Sequence, residues 1–139
     1  MGAPGAHHFY RAGDTALSAV WGSDAGDVWA AGFGGTLLHW DGSSWSGRDG
    51  ATTTDLLAVW GSSSRNMWAV GWEGTIVNWN GTAWTTVANP TGAQDVLSCV
   101  WGSSADDVWA VDQSGEILNW KRRSWSFVSS PAATALLGG

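Results

Sequence analysis

The chain has 139 residues, 44% of them apolar and 13% charged, which is one domain's worth of sequence and too apolar for a disordered acidic chain. Twelve acidic against six basic residues leave a formal net charge of −6, and the only basic cluster is Lys121-Arg122-Arg123, so neither nucleic acid nor an anionic membrane surface is expected as a partner. A single cysteine, Cys99, excludes an intrachain disulfide, and no apolar run approaches the ~20 residues of a membrane span, so no membrane insertion is expected.

Taken in chain order, residues 1–16 form a segment of their own. Residues 1–8 show neither the charged start nor the apolar stretch of a signal peptide, which leaves localisation open. Residues 7–13 (HHFYRAG) are similar to 124–130 further on. They read as an extra outer strand, either exchanged between subunits or left from a longer array.

From Leu17 onward the chain repeats itself. Residues 17–46 (LSAVWGSDAGDVWAAGFGGTLLHWDGSSWS), 56–85 (LLAVWGSSSRNMWAVGWEGTIVNWNGTAWT) and 97–126 (LSCVWGSSADDVWAVDQSGEILNWKRRSWS) share one pattern. Twelve of the 13 tryptophans fall into four registers: Trp21/Trp60/Trp101, Trp29/Trp68/Trp109, Trp40/Trp79/Trp120 and Trp45/Trp84/Trp125. Their spacings of 8, 11 and 5 are the same in every copy, and the copies lie 39 and 41 residues apart, so only the connectors vary in length. The units are 17–55, 56–96 and 97–139.

Each unit reads as four short strands. In the first copy these are 17–21, ending at a Gly-Ser turn, then 28–31, then 36–40 after a Gly-Gly turn, then a strand around Trp45. Asp41-Gly42 and Asn80-Gly81 mark tight hairpins before the fourth strand. Nothing shows the 3.6-residue period of a helix. Apolar and polar residues do not alternate cleanly, which predicts sheets covered on both faces.

A four-stranded unit of about 40 residues in tandem is the arithmetic of a β-propeller blade. The expected fold is therefore all-β, with three four-stranded blades per chain. A blade buries its faces only against neighbours, and a ring takes about four to eight blades. Closure by a homodimer, head to tail into a six-bladed ring, is the expected assembly.

The pattern W-G-S-x-x-x-D-V-W-A-V-G, followed by G-T-I-L-x-W-D-G-x-x-W, resembles tectonin-type and related bacterial propeller repeats. The stretch TLLHWDGSSWSG (36–47) is similar to the third-to-fourth-strand segment of bacterial propeller lectins. This resemblance covers 17–130 and implies a propeller lectin, with sugar sites between blades and glycans as partners. Copy three departs from the pattern. Lys121-Arg122-Arg123 replaces the Asp-Gly turn, and Asp112-Gln113 replaces Gly32-Phe33 and Gly71-Trp72.

Several residues are candidates for binding. Trp40/Trp45, Trp79/Trp84 and Trp120/Trp125 flank a four-residue hairpin loop and should face each other on one side of the outer strands. Two indoles beside a cleft suit stacking on a pyranose; they equally suit packing on the next blade. Trp21, Trp29 and their equivalents, on inner strands, are expected in the core between blades. Trp72 stands outside the four registers, where the other copies carry Phe33 and Gln113, so packing does not demand a tryptophan there. His39, Asn78 and Asn119 share a register and suit either a sugar hydroxyl or a hydrogen-bonded blade edge.

Other residues have plainer readings. Asp27, Asn66 and Asp107 fit turn bracing better than a calcium loop. Cys99 aligns with Ala19 and Ala58 and is expected to be a small buried residue. No nucleophile has a histidine in a matching position, and there is no phosphate loop or Cys/His cluster, so no enzyme, metal or cofactor is expected. Two functions stand. One is a carbohydrate-binding propeller made multivalent by oligomerisation. The other is a non-catalytic scaffold or protein-interaction propeller whose tryptophans serve only packing and assembly.

Overall fold

The computed structural model describes residues 16–49, 51–90, 95–121 and 123–128; residues 7–13 lie outside that set. It holds three four-stranded antiparallel sheets, each in sequence order. Blade one is β1 (Leu17–Asp24), β2 (Asp27–Gly32), β3 (Leu37–Trp40) and β4 (Trp45–Arg48). Blade two is β5 (Leu56–Ser63), β6 (Asn66–Gly71), β7 (Ile76–Trp79) and β8 (Trp84–Thr86). Blade three is β9 (Leu97–Ser104), β10 (Asp107–Asp112), β11 (Ile117–Lys121) and β12 (Ser124–Val128). The fold is all-β and propeller-like, as the repeat predicts.

One local expectation is corrected. β1 does not turn at Gly22-Ser23, because Gly22 still pairs with Val28 across the ladder. The strand bulges and runs on to Asp24, whose Oδ1 accepts the Gly26 N–H at 2.7 Å. A short polar side chain closing its own turn is a strong local stop.

Strand pairing sorts each blade into two faces. Trp21 lies opposite Trp29, and Trp29 opposite His39, so these three share one face. Side chains one residue along point the other way, giving Val20, Ala30, Leu38 and Trp45 to the second face. Blades one and two enclose a core containing Trp29, Ala31 and Leu37 from the first and Leu56, Met67, Val77 and Trp84 from the second. Blades two and three repeat it with Trp68, Val70 and Ile76 against Leu97, Val108, Leu118 and Trp125. Each large apolar side chain fully buried in this way contributes about 1.5–3 kcal/mol.

Coverage on both faces therefore holds for blade two alone, where β6 is buried from Met67 to Gly71. Blade one leaves Val20 66% exposed and blade three leaves Trp101 58% exposed. This corrects the expectation for Cys99. It is exposed rather than buried, because it stands on the uncovered face of blade three, where Ala19 and Ala58 pack against a following blade.

A cationic groove between the first two blades

The groove is built on Trp29. Its indole is 1% exposed and touches His39 on its own blade, with ring centroids 4.5 Å apart. Blade two brings Trp79 to 4.9 Å and sets Trp84 edge-on at 5.4 Å. The second junction repeats this around Trp68, with Trp120 at 4.7 Å and Trp125 edge-on at 5.2 Å. Edge-to-face contact places the positive ring edge against the negative face and favours this geometry over parallel stacking.

The paired tryptophans do face each other across the outer hairpins, with centroids 5.7, 5.8 and 5.9 Å apart in the three blades. Trp84 and Trp125, however, are buried by the preceding blade, which leaves them no free face for a sugar ring. Trp79 and Trp120 are half-buried over Trp29 and Trp68. Trp40 and Trp45 occupy the same positions on the uncovered face of blade one.

Beside the Trp29 cluster a cavity of about 230 Å³ opens between the blades. Blade one contributes Asp27, His39 and Arg48 to its lining, and blade two contributes Ser64, Arg65, Trp79 and Gly81. Asp27 has both oxygens engaged: Ser23 Oγ donates to Oδ2 at 2.5 Å, and His39 Nε2 lies 2.6 Å from Oδ1. Among the described residues, no carboxylate comes within ion-pair distance of Arg48 or Arg65. Both arginines are exposed, and the stem of Arg65 lies along Gly81 at the hairpin.

Arg48 and Arg65 are not marked by the tryptophan pattern. Their signal is departure from the repeat. The residues equivalent to Arg48 are Val87 and Val128, and those equivalent to Arg65 are Gly26 and Asp106. At the second junction the positions of Asp27, His39, Arg48 and Arg65 are taken by Asn66, Asn78, Val87 and Asp106, so the two arginines are particular to the first.

The other candidates have structural roles or lie elsewhere. Asn78 Nδ2 donates to Asn66 Oδ1 at 3.1 Å and to the Met67 carbonyl at 2.9 Å, which ties it into its blade. Asn119 does the same with Asp107 Oδ1 and the Val108 carbonyl. Asp107 is held below the usual carboxylate range, first by the Ser103 hydroxyl and then by the Asn119 amide. Asp27, Asn66 and Asp107 thus brace their turns. Asp41, in the first outer hairpin, is lowered by the N–H groups of Ser44 and Ser43.

Trp72 lies at the opposite end of the blades, in the 3-10 turn Trp72–Gly74, the counterpart of Phe33–Gly35 in blade one, and is 50% exposed. It borders a separate hollow of about 350 Å³ with Thr53, Thr54, Asp55 and Glu73. Glu73 is held at φ 57°, in the left-handed region where the first copy has Gly34. The equivalent loop of blade three is an acidic clasp in which oxygens of Asp95, Asp112 and Glu116 lie within 4.8 Å of one another. Asp112 Oδ1 accepts the N–H groups of Ser114 and Glu116, and the contact with Asp112 raises the Glu116 carboxyl above its ordinary value.

No protein-family model and no curated protein matches this chain. Its structure is similar to YCF48 from Cyanidioschyzon merolae, with a TM-score of 0.74 and 17% identity over 90% of this chain and 44% of that one. It is also similar to a YCF48 bound to D1 peptide, with a TM-score of 0.68 and 15% identity over 84% and 42%. A third neighbour is the WD40 β-propeller domain of Doa1, with a TM-score of 0.65 and 19% identity over 86% and 44%. The chain spans less than half the length of these neighbours. At such identities the likeness establishes the propeller repeat fold and does not extend to the tectonin-type resemblance.

Proposed function

We propose that this chain is a non-catalytic, protein-interaction propeller unit that holds an extended acidic peptide through the groove between blades one and two. The observation that carries the reading is the pair Arg48 and Arg65, set beside a tryptophan with no carboxylate partner among the described residues, in a chain of net charge −6. Guanidinium groups present planar donor forks that match a carboxylate, and Trp79 supplies apolar contact for the neighbouring residue. A solved neighbour of the same fold bound to a peptide supports a peptide as the class of ligand.

The test is fluorescence anisotropy with dye-labelled peptides rich in Asp and Glu, set against amidated, neutral peptides of the same length. Binding confined to the acidic set, and lost in Arg48→Ala/Arg65→Ala, supports the reading. Equal binding of both sets, or no loss in the double variant, overturns it.

Carbohydrate binding is a second reading, and Trp72 is the residue that favours it. A half-exposed indole beside two threonines and the carboxylates of Asp55 and Glu73 has the chemistry of a sugar-stacking platform. A glycan array answers it: binding lost in Trp72→Ala supports the reading, and a blank array disposes of it.

A further inference from the structure

The uncovered faces of blades one and three are the two halves of a contact that the chain already makes twice. At the first junction the six-membered ring of Trp21 reaches Gly61, its Cη2 and Cζ3 standing 2.8 Å from where a Cβ would lie. At the second, Trp60 reaches Gly102 in the same way, at 2.7 and 2.8 Å. Trp101 is the next ring in that register, and Gly22 is the socket that no ring fills among the described residues. The Ser18 hydroxyl also donates across the first junction to the Leu56 carbonyl at 2.5 Å. Ser98 and Leu17 hold those registers on the two open faces, and both are exposed.

The apolar residues behind the sockets match as well. Val59 and Val100 are 9% and 7% exposed, because a preceding blade covers them; Val20, their equivalent, is 66% exposed. Around Val20, a trough of about 400 Å³ takes in Leu17, Ala30 and Trp45. A soluble monomer rarely presents contiguous apolar surface on this scale at two places.

We infer that a second copy of this chain covers both faces. Blade three of each copy seats on blade one of the other, with Trp101 over the partner's Gly22, to close a six-bladed ring about a two-fold axis. Each copy carries one face of each kind, so two copies satisfy all four and leave none open. This inference is independent of the peptide reading, since it uses none of the groove residues.

The experiment is native mass by sedimentation across the micromolar range, on the wild-type chain and on Val20→Glu and Trp101→Glu. The inference requires a two-chain mass for the wild type and one-chain masses for both variants, each with the wild-type far-ultraviolet spectrum. An equimolar mixture of the variants should regain a two-chain species, because one junction in the mixed pair joins two unaltered faces. Maleimide labelling of Cys99 gives a second readout: slow in the wild type, fast in Val20→Glu. A one-chain wild type with fast Cys99 labelling overturns the inference, and so does a ladder of growing masses, which means an open helix of copies. A pair that survives either single substitution, or a mixture that stays monomeric, overturns the head-to-tail geometry.

Discussion

The ring of Trp21 occupies the space that a side chain at Gly61 would need. The W-G-S that opens each repeat is therefore two half-contacts in one motif: a tryptophan for the following blade and an empty place for the preceding one. Gly61→Val should cost about 1–3 kcal/mol, as overpacking of a filled interface does. Gly47→Ala, where nothing lies within 4 Å of the added carbon, should be nearly neutral. Urea unfolding of the two variants measures the difference.

Tryptophans that look alike in sequence should differ widely in worth. Trp68 is 2% exposed and meets Trp120 and Trp125, so Trp68→Ala should cost about 3–5 kcal/mol. Trp72, four residues on and 50% exposed, should cost no more than about 0.5 kcal/mol when truncated. Similar losses for both would mean that Trp72 is held by packing.

The clasp around Glu116 should make stability depend on pH in a particular direction. Its carboxyl titrates above the ordinary 4.5, through hydrogen bonding to Asp112, desolvation, and the charges of Asp112 and Asp95. The folded state thus holds this proton more tightly than the unfolded state. That group's contribution falls as pH rises from 4.5 through the raised value, and the loss persists at neutral pH. Glu116→Gln should melt higher than wild type at neutral pH, and the gap should close on acidification toward 4.5. Asp107 works the other way. Its carboxyl is lowered by Ser103 and Asn119, so its contribution is present above 3.8 and is lost as pH falls through the depressed value. Ser103→Ala should accordingly move the acid-unfolding midpoint upward.

Peptide binding at the groove should be electrostatic in character. Removing Arg48 or Arg65 singly should weaken an acidic peptide about tenfold, the effect of losing one hydrogen bond to a charged group. Added salt should weaken the wild type more steeply than either variant, because exposed charges are screened over about 10 Å at 0.1 M ionic strength. A salt dependence unchanged by both substitutions would place the peptide elsewhere.

Much of the architecture is legible in the sequence, because a repeat states each packing rule three times. The identical spacings of Trp21, Trp29, Trp40 and Trp45 set the strand order and the cross-strand pairs that the structure shows. Burial is less legible, since it belongs to neighbours. Trp29 and Trp109 share a register, yet only Trp29 has a following blade to bury it. Cys99 and Ala58 differ for the same reason. The groove was harder still to read. Arg48 and Arg65 carry no motif, and what matters is that the fold brings an outer-strand residue of one blade beside a hairpin residue of the next.

Blade two is buttressed from both sides, and that sets a gradient of local opening. In a stack of repeats, the free energy to open a unit includes each interface that it shares. Blade two shares two within the chain, whereas blades one and three share one each. Amide protons of β6 and β7 should therefore exchange last, and those of β1 and β12 first, through fraying that leaves the middle sheet intact. A partner seated on the outer faces would flatten this gradient, so the exchange profile carries the state of assembly in the backbone itself.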